Sequence, residues 1–333
     1  MLNTISNGLL KFSKDLDIFG QGSLFQYINT TTTYMGRETL RKYLTEPCKD
    51  KEDIIKRQEA VEELSGHLSW RQRFMAEGLI IPDKSDDNQP LYDFFEREYE
   101  KYSKTWLIFG ARVVPVISIG ALLLYFFSLI PYQIPIIILT IQFFIFKYDF
   151  KERSRILNLV HKYENSIKLY SKMLYQIERK NFKAQHLLDL KARLVDDNNR
   201  KAFEQIKKLE HISDNILNRK NPYFIPINIL TLWDYQCMIA LEAWKKKSGK
   251  LIKAWLETIG EFEALSSLAN IRHDNPDWEM PKITDKPYYI KARDMGHPLI
   301  TENRVCNNDY KLNPGISTTR NAMYLIKMIG IDG

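Results

Sequence analysis

The residue types that most often perform chemistry in proteins are spread thinly along this chain. Its six histidines lie far apart, at His67, His161, His186, His211, His273 and His297. The sequence contains no H-E-x-x-H pair of zinc ligands and no G-x-S-x-G turn that would present a serine nucleophile. We therefore predict no catalytic residue and no metal site.

The cysteines and the net charge narrow the class of protein further. Cys48, Cys237 and Cys306 are widely separated and form no C-x-x-C pair, which argues against a disulfide scaffold and favours a reducing compartment. A net charge of +7 permits contact with nucleic acid or with an anionic membrane without requiring either. With 44% hydrophobic and 27% charged residues the chain is neither disordered nor fibrous, and we expect no cleaved signal peptide.

A long apolar run stands in the middle of the 333 residues. From Val113 to Phe146 there are 34 residues without a charge, divided by Pro131-Tyr132-Gln133. The first half is long enough for about 27 Å of helix, close to the thickness of about 30 Å of a hydrocarbon core. The second half reaches that length only if Lys147 extends towards the interface. We predict a transmembrane helical hairpin; a buried helix of a soluble protein is the alternative.

The flanking charges predict how the hairpin is oriented. Basic residues precede it (Lys101, Lys104, Arg112) and follow it (Lys147, Lys151, Arg153, Arg155). Because basic residues stay on the cytoplasmic side, both termini are expected there, with only the turn at Pro131 on the far side.

Helical spacing of apolar residues predicts helices on both sides of the hairpin. Before it, we expect helices over 24–79 and a charged amphipathic helix over 91–105. After it, we expect one or two long helices over 151–219, and a second helical run over 228–271 interrupted near Lys247-Ser248-Gly249.

Local signals place two helix boundaries near the N-terminus. Leu40, Tyr43 and Leu44 share one face of a helix that Pro47 is expected to end. Asp50 is a predicted N-cap for the next helix. From Asp274 onward, prolines punctuate short apolar stretches, which is typical of strands and turns.

Two separated groups of residues resemble the MutS family. Thr33-Tyr34-Met35-Gly36-Arg37, followed by Leu40, Leu44 and Pro47, resembles the opening of the MutS core or lever domain, and its continuation runs through Ile55, Arg57, Ala60, Val61, Leu64, Arg71 and Arg73. The segment 259–269 is similar to the last lever helix, and 292–300 with 308–312 resemble the first strands of the ATPase domain. The resemblance covers most of 20–110 and 225–333.

The resemblance implies a mainly α fold. We expect a helical MutS-like lever bundle interrupted by the transmembrane hairpin, with a small α/β C-terminal fragment of a P-loop ATPase domain. The implied domains are residues 1–105 and 151–274 for the two lever halves, 106–150 for the hairpin and 275–333 for the start of the ATPase domain. Because the hairpin stands between the lever halves and no mismatch-reading domain is recognisable, the chain resembles the membrane-attached MutS-related group.

The expected nucleotide site departs from the pattern G-x-x-x-x-G-K-[ST], in which the lysine reaches phosphate oxygens and the hydroxyl holds magnesium. Counted from Gly315, the residues Arg320, Asn321 and Ala322 occupy the places of Gly, Lys and Ser. Counted back from Ile329-Gly330-Ile331-Asp332, the same slot again lacks both the lysine and the magnesium-binding hydroxyl. The preceding apolar strand is missing, and the chain ends at Gly333 before a Walker B acid.

ATP and Mg²⁺ are therefore expected for the family and doubtful for this chain, for which we predict weak or absent ATP hydrolysis. By resemblance alone, the candidates for contacting the adenine of ATP are Val305, Cys306 and Asn308. Resemblance also implies DNA mismatch repair, binding of mismatched DNA, and a homodimer formed through the ATPase domain in full-length relatives. Two alternatives stay open: an inactive truncated product, and a helical module at the membrane surface that binds DNA or a partner without ATPase activity.

Overall fold

A computed structural model describes residues 18–46, 48–80, 89–217, 219, 221–285 and 291. Within these ranges the protein is mainly helical and contains no β-strand; one isolated bridge joins Val195 to Lys201. The chain divides into two compact units, 1–281 and 282–333. The helices described below all belong to the first unit.

Within the described residues of the first unit, helices alternate with short connections. They are α1 (Leu24–Ile28), α2 (Tyr34–Thr45), α3 (Lys51–Ser65), α4 (Leu68–Ile80), α5 (Gln89–Glu96), α6 (Thr105–Phe126), α7 (Gln133–Lys147), α8 (Phe150–Lys162), α9 (Glu164–Arg179), α10 (Gln185–Ala192), α11 (Ala202–Leu217), α12 (Ile225–Thr231), α13 (Trp233–Ser248) and α14 (Ile252–Asp274). Short 3-10 turns cover Glu100–Ser103, Pro222–Phe224 and Gly249–Leu251.

The long helix α14 is the centre of the bundle. It packs against α2 and α3 from the N-terminal part of the chain and also contacts α9. Trp255, Phe262 and Leu265 on this helix are almost completely buried, and they join one large apolar core that also includes residues of α9, α11 and α13. The two halves of the chain on either side of the apolar run therefore share a single core.

Two of the predicted helix boundaries agree with the structure. The Asp50 side chain caps α3 by accepting a hydrogen bond from the Asp53 backbone N–H at 3.0 Å. The expected break near Lys247-Ser248-Gly249 is the 3-10 turn between α13 and α14. Pro47, the predicted end of α2, lies outside the described residues.

The predicted helix over 91–105 is wrong in its extent. Helix α5 ends at Glu96, and a separate 3-10 turn follows before α6 begins. Two buried side chains of α13 bind the intervening backbone: Lys245 donates to the Arg97 carbonyl at 2.7 Å, and Glu242 accepts from the Tyr99 N–H at 2.8 Å. These tertiary hydrogen bonds replace the helical ones, so the chain turns here.

The region 151–219 also differs from the prediction of one or two long helices. It contains four helices, α8 to α11, which fold back on one another so that α9 packs along α11. The apolar periodicity within each helix was informative, but the breaks between them carry no proline that would have marked them in the sequence.

The apolar run forms two helices that pack against each other. Helix α6 begins eight residues before the run, includes Pro115, and has 22 residues. Within the described part of the chain, α6 is long and apolar enough to cross a membrane. Helix α7 is long enough only if it is counted together with α8, and the two helices are bent by 62° at the break between them. Large apolar side chains on both helices are exposed, among them Phe126 at 80%.

Candidate functional site

The residues predicted to lie around a nucleotide are outside the part of the chain that the structure describes. This holds for Val305, Cys306 and Asn308 and for Gly315, Arg320, Asn321 and Ala322. Within the described residues no group of three or more histidine, cysteine, aspartate or glutamate side chains could hold a metal ion. The structure instead brings together two buried polar clusters, one beside α2 and one at the base of the hairpin.

The first cluster, which we call the junction, joins the start of α2 to α14. Glu263 of α14 is buried, and its carboxylate accepts hydrogen bonds from the backbone N–H and the hydroxyl of Thr32 at 2.7 and 2.6 Å. It also accepts from the Thr33 N–H at 3.2 Å and from the Thr33 hydroxyl. Thr33 is the N-cap of α2, so the carboxylate lies where the helix dipole favours a negative charge.

Burial and hydrogen bonding have opposite effects on the pKa of this carboxyl group. Removal from water raises the pKa of Glu263 above its ordinary value, although the hydrogen bonds from Thr32 and Thr33 act in the opposite direction. No cation pairs with Glu263 among the described residues. The junction is thus a capping interaction between two distant parts of the chain and not an ion pair.

Glycines allow the close approach that the junction needs. A Cβ atom at Gly36 would collide with the Glu263 side chain, and one at Gly260 would lie 2.7 Å from the Met35 carbonyl oxygen. Likewise a Cβ at Gly78 of α4 would collide with the Thr32 side chain. The Thr-x-x-Gly spacing therefore serves two purposes, because Thr33 caps α2 and Gly36 leaves room for the carboxylate.

Neighbouring polar side chains extend the junction along α14. The Tyr43 hydroxyl donates to Glu261, and the Arg57 guanidinium lies over the Tyr43 ring at 3.9 Å. Arg71 is buried and donates to Asn270. Arg57 and Arg71, two of the basic residues in the N-terminal pattern, therefore contact protein groups in the bundle.

The second cluster, which we call the hairpin base, surrounds the bend between α7 and α8. Asp149 has a left-handed backbone conformation with φ of 51°, and its side chain pairs with the fully buried Arg153. Lys101 contacts the same carboxylate at 2.5 Å, and the hydroxyls of Tyr102 and Tyr235 donate to it at 2.8 and 2.9 Å. Burial raises the pKa of both tyrosines, so their hydroxyls stay protonated and remain donors.

Arg153 connects this bend to α13. Its guanidinium lies 4.0 Å from the centre of the Tyr235 ring and donates to the Phe146 carbonyl at 2.7 Å. The Asp234 carboxylate lies 3.8 Å from the Arg153 Nε and 3.2 Å from the Arg219 Nε. The exit of the hairpin is thus held against the helical body by buried charges whose partners come from four parts of the chain.

Comparison with known proteins identifies the part of the chain that contains the junction. Residues 5–85 match the family model of MutS domain III, and this stretch includes α1 to α4. The N-terminal part of the chain therefore contains a segment similar to MutS domain III. The match covers about a quarter of its length, and no curated protein and no solved structure gave a significant match.

The mainly helical structure of the described residues confirms the predicted mainly α fold and is consistent with a MutS domain III bundle. The pattern around Thr33 and Gly36 was recognised from the sequence. Glu263 was included only as part of the segment 259–269, and no contact with Thr33 was predicted for it. Asp149, Arg153 and Asp234 were missed as a cluster, because they are distant in sequence or were counted as flanking charges. The one available signal in the sequence was the position of charged residues directly after the end of the apolar run, where a charge near an apolar helix end needs a partner.

Neither cluster has the composition of a catalytic site. The Glu263 and Asp149 carboxylates accept hydrogen bonds from protein donors. Cys237, which is close in sequence to Asp234 and Tyr235, is buried, and burial raises the pKa of its thiol to about 12. A thiol with so high a pKa is a poor nucleophile because the reactive thiolate is scarce. The two clusters are suited to holding helices in position.

Proposed function

We propose that this MutS-related, mismatch-repair-like protein is anchored in a membrane by α6 and α7, with its helical body on the cytoplasmic side. The observation that carries the proposal is the outward exposure of an uncharged apolar surface along both helices. The exposed residues are Val116, Ile117, Ile119, Leu123, Leu124, Phe126, Phe127, Leu129, Ile134, Ile136, Ile137, Ile141, Phe143 and Phe144.

Such a surface is unfavourable in water. Burying one large apolar side chain contributes about 1.5–3 kcal/mol, so a surface of this many residues favours transfer to lipid by tens of kcal/mol at the order-of-magnitude level. Soluble monomers rarely expose continuous apolar patches larger than about 300–600 Å². The backbone of α6 and α7 is internally hydrogen-bonded as helix, as a lipid environment requires.

The basic residues at both ends support the orientation. Lys104 and Arg112 precede the exposed surface, while Lys147, Lys151 and Arg155 follow it. Arg153, which the sequence analysis counted with them, is buried in the hairpin base and pairs with carboxylates. The remaining basic residues still favour the side where positive charge accumulates for both ends of the hairpin.

The hairpin base supports a mechanical connection between anchor and body. Because its charges are buried and paired, the bend at Asp149 is coupled to α13 rather than to solvent. Displacing the hairpin relative to the body would expose or unpair these groups, which is costly in a low-dielectric interior. We infer that the body and the anchor act as one unit.

Nucleotide chemistry is a separate part of the proposal. The positions expected for the phosphate-binding lysine and the magnesium-binding hydroxyl hold neither residue type, so binding of ATP and Mg²⁺ is doubtful for this segment. We expect weak or absent ATP hydrolysis by this chain. DNA binding and a homodimer through the ATPase domain are extensions from the family only.

Membrane attachment is tested by fractionation of cells that express the full chain. We expect the protein to stay in the membrane pellet after alkaline carbonate washing and to be released by detergent. Recovery in the aqueous fraction without detergent would refute the anchor.

Orientation is tested with a membrane-impermeant maleimide on intact cells. The Tyr132→Cys variant places a thiol in the turn between α6 and α7 and should be labelled from outside. Native Cys48, which is partly exposed, is the matched control and should be labelled only after permeabilisation. The opposite pattern would invert the proposed topology.

The nucleotide proposal is tested with purified protein. We expect no ATPase activity above the background of an Arg320→Ala variant. Hydrolysis by the natural chain that disappears in that variant would show that Arg320 replaces the missing lysine and would overturn the proposal.

A further inference from the structure

A third apolar segment lies beside the hairpin although it is far from it in sequence. Residues 221–233 contain no charged side chain, and they form the 3-10 turn Pro222–Phe224 and the short helix α12. On this segment Tyr223 is 87% exposed, Ile225 54% and Ile227 49%. The helical run predicted from the sequence begins at residue 228 and does not include these side chains.

Helix α12 packs against both helices of the hairpin. Pro226, Ile229 and Leu230 line a groove together with Leu122 of α6 and with residues 136–143 of α7. The buried Gln142 amide donates to the carbonyls of Ile229 and Leu230 at 2.7 and 2.6 Å, and its oxygen accepts from the Ser118 hydroxyl of α6. The three segments are therefore linked by hydrogen bonds as well as by apolar contact.

The backbone of α12 requires little water. Gln142 satisfies two carbonyls at its C-terminal end, where a helix normally leaves its acceptors free. At the other end Pro226 has no N–H to satisfy, and the Phe224 N–H donates to the Asn221 carbonyl at 2.8 Å. These hydrogen bonds to protein groups reduce the number of polar backbone groups that α12 would expose to lipid.

The position of α12 along α7 indicates how deep α12 would lie in the membrane. Its groove extends from Phe143 to Ile136, which are four and eleven residues before Lys147. At a rise of about 1.5 Å per residue, these levels lie roughly 6 and 16 Å from the basic end of α7. The exposed side chains of α12 therefore continue the apolar surface of the hairpin at levels within the hydrocarbon layer.

We infer that α12 and the turn before it form a third membrane element, which enters the same leaflet as the base of the hairpin without crossing it. Ile225 and Ile227 contact acyl chains, and Tyr223 provides an aromatic side chain suited to the interface. This inference rests on the proposed membrane anchor. Its basis is the continuity of the α12 surface with the hairpin and the absence of charge over residues 221–233.

The test measures contact between single positions and lipid. A background carrying Cys48→Ser and Cys306→Ser retains only the buried Cys237, whose high thiol pKa makes it unreactive. Ile225→Cys and Ile227→Cys are introduced separately and labelled with an environment-sensitive fluorophore. The full chain is reconstituted in phosphatidylcholine and phosphatidylglycerol vesicles, with and without doxyl groups on the acyl chains.

Two further variants calibrate the signal. Ile137→Cys on α7 reports the hairpin itself, and Leu188→Cys reports an exposed position on α10 of the helical body. We expect doxyl lipids to cause a loss of fluorescence at Ile137, Ile225 and Ile227 and no loss at Leu188.

Each other outcome is decisive. Loss of fluorescence at Ile137 with none at Ile225 and Ile227 would overturn the third membrane element and leave the anchor intact. No loss at Ile137 would refute the anchor, and with it this inference. Unquenched labels at Ile225 and Ile227, together with disulfide-linked dimers of the unlabelled variants, would assign the α12 surface to a contact between two copies of the chain.

Discussion

Replacing Gly36 by alanine tests the junction directly. The glycine lies in the first turn of α2, where its N–H donates to the Thr33 hydroxyl at 3.0 Å, and this hydrogen bond survives the substitution. The new Cβ, however, would collide with the Glu263 side chain. That side chain is buried and holds four hydrogen bonds, so it has no free direction in which to move.

Three contributions set the size of the effect. Alanine in a helix is favoured over glycine by about 0.5–1 kcal/mol, overpacking costs about 1–3 kcal/mol, and losing one hydrogen bond to a charged group costs about 1.5–3 kcal/mol. The two unfavourable contributions exceed the favourable one, so we expect a net destabilisation of about 3 kcal/mol for Gly36→Ala.

The assay is urea unfolding of the detergent-solubilised full chain, followed by the far-ultraviolet circular dichroism of its helices. Gly66→Ala is the matched control, because Gly66 has an ordinary right-handed conformation and its added Cβ would meet nothing closer than 3.6 Å. We expect the control to be unchanged or slightly stabilised.

A double-mutant cycle identifies the atom that causes the penalty. In a Glu263→Gly background, Gly36→Ala should cost nothing or become favourable, because that background removes both the carboxylate and the Glu263 Cβ, which would lie 2.9 Å from the added Cβ. A Gly36→Ala protein as stable as the Gly66→Ala control would refute the proposed close approach. A penalty that persists without Glu263 would show that another group occupies the space.

Three further predictions concern charge and hydrogen bonding in the two clusters. The pKa of Glu263 is raised in the folded state, so the stabilisation by its protonated form is greatest below the ordinary pKa of 4.5 and is lost as pH rises through the raised pKa. The unfolding free energy of the natural chain should therefore fall relative to that of Glu263→Gln as pH increases. The opposite pH dependence in urea titrations would contradict this prediction. Arg153→Met should destabilise by about 3–5 kcal/mol in the same assay, because it removes the fully buried cation that lies between the Asp149 and Asp234 carboxylates. The control Arg155→Met, at an exposed position, should change stability by less than about 0.5 kcal/mol. Gln142→Leu should weaken the end of α12 by about 1–3 kcal/mol, seen as faster amide hydrogen exchange there, and unchanged exchange would argue against the capping role.

Several local features of the fold could be predicted because their causes are local. The Asp50 cap depends on a side chain three residues from the N–H that it binds. The break at Lys247-Ser248-Gly249 was marked by a polar, glycine-containing stretch. By contrast, the end of α5 at Glu96 depends on Glu242 and Lys245, more than 140 residues away, and no local signal shows it.

The sequence by itself determined that the chain is mainly helical, that it carries a MutS-like pattern near Thr33 and Gly36, and that a long uncharged run divides it. Helical periodicity, capping and hydropathy depend on residues that are close in sequence, so the amino-acid sequence alone is enough to predict them. Only the tertiary structure paired Glu263 with the start of α2, gathered Arg153, Asp149 and Asp234 at the hairpin base, and placed α12 beside α7. These contacts join segments that are far apart in sequence, and they form because buried polar groups need partners that only the folded chain brings within reach.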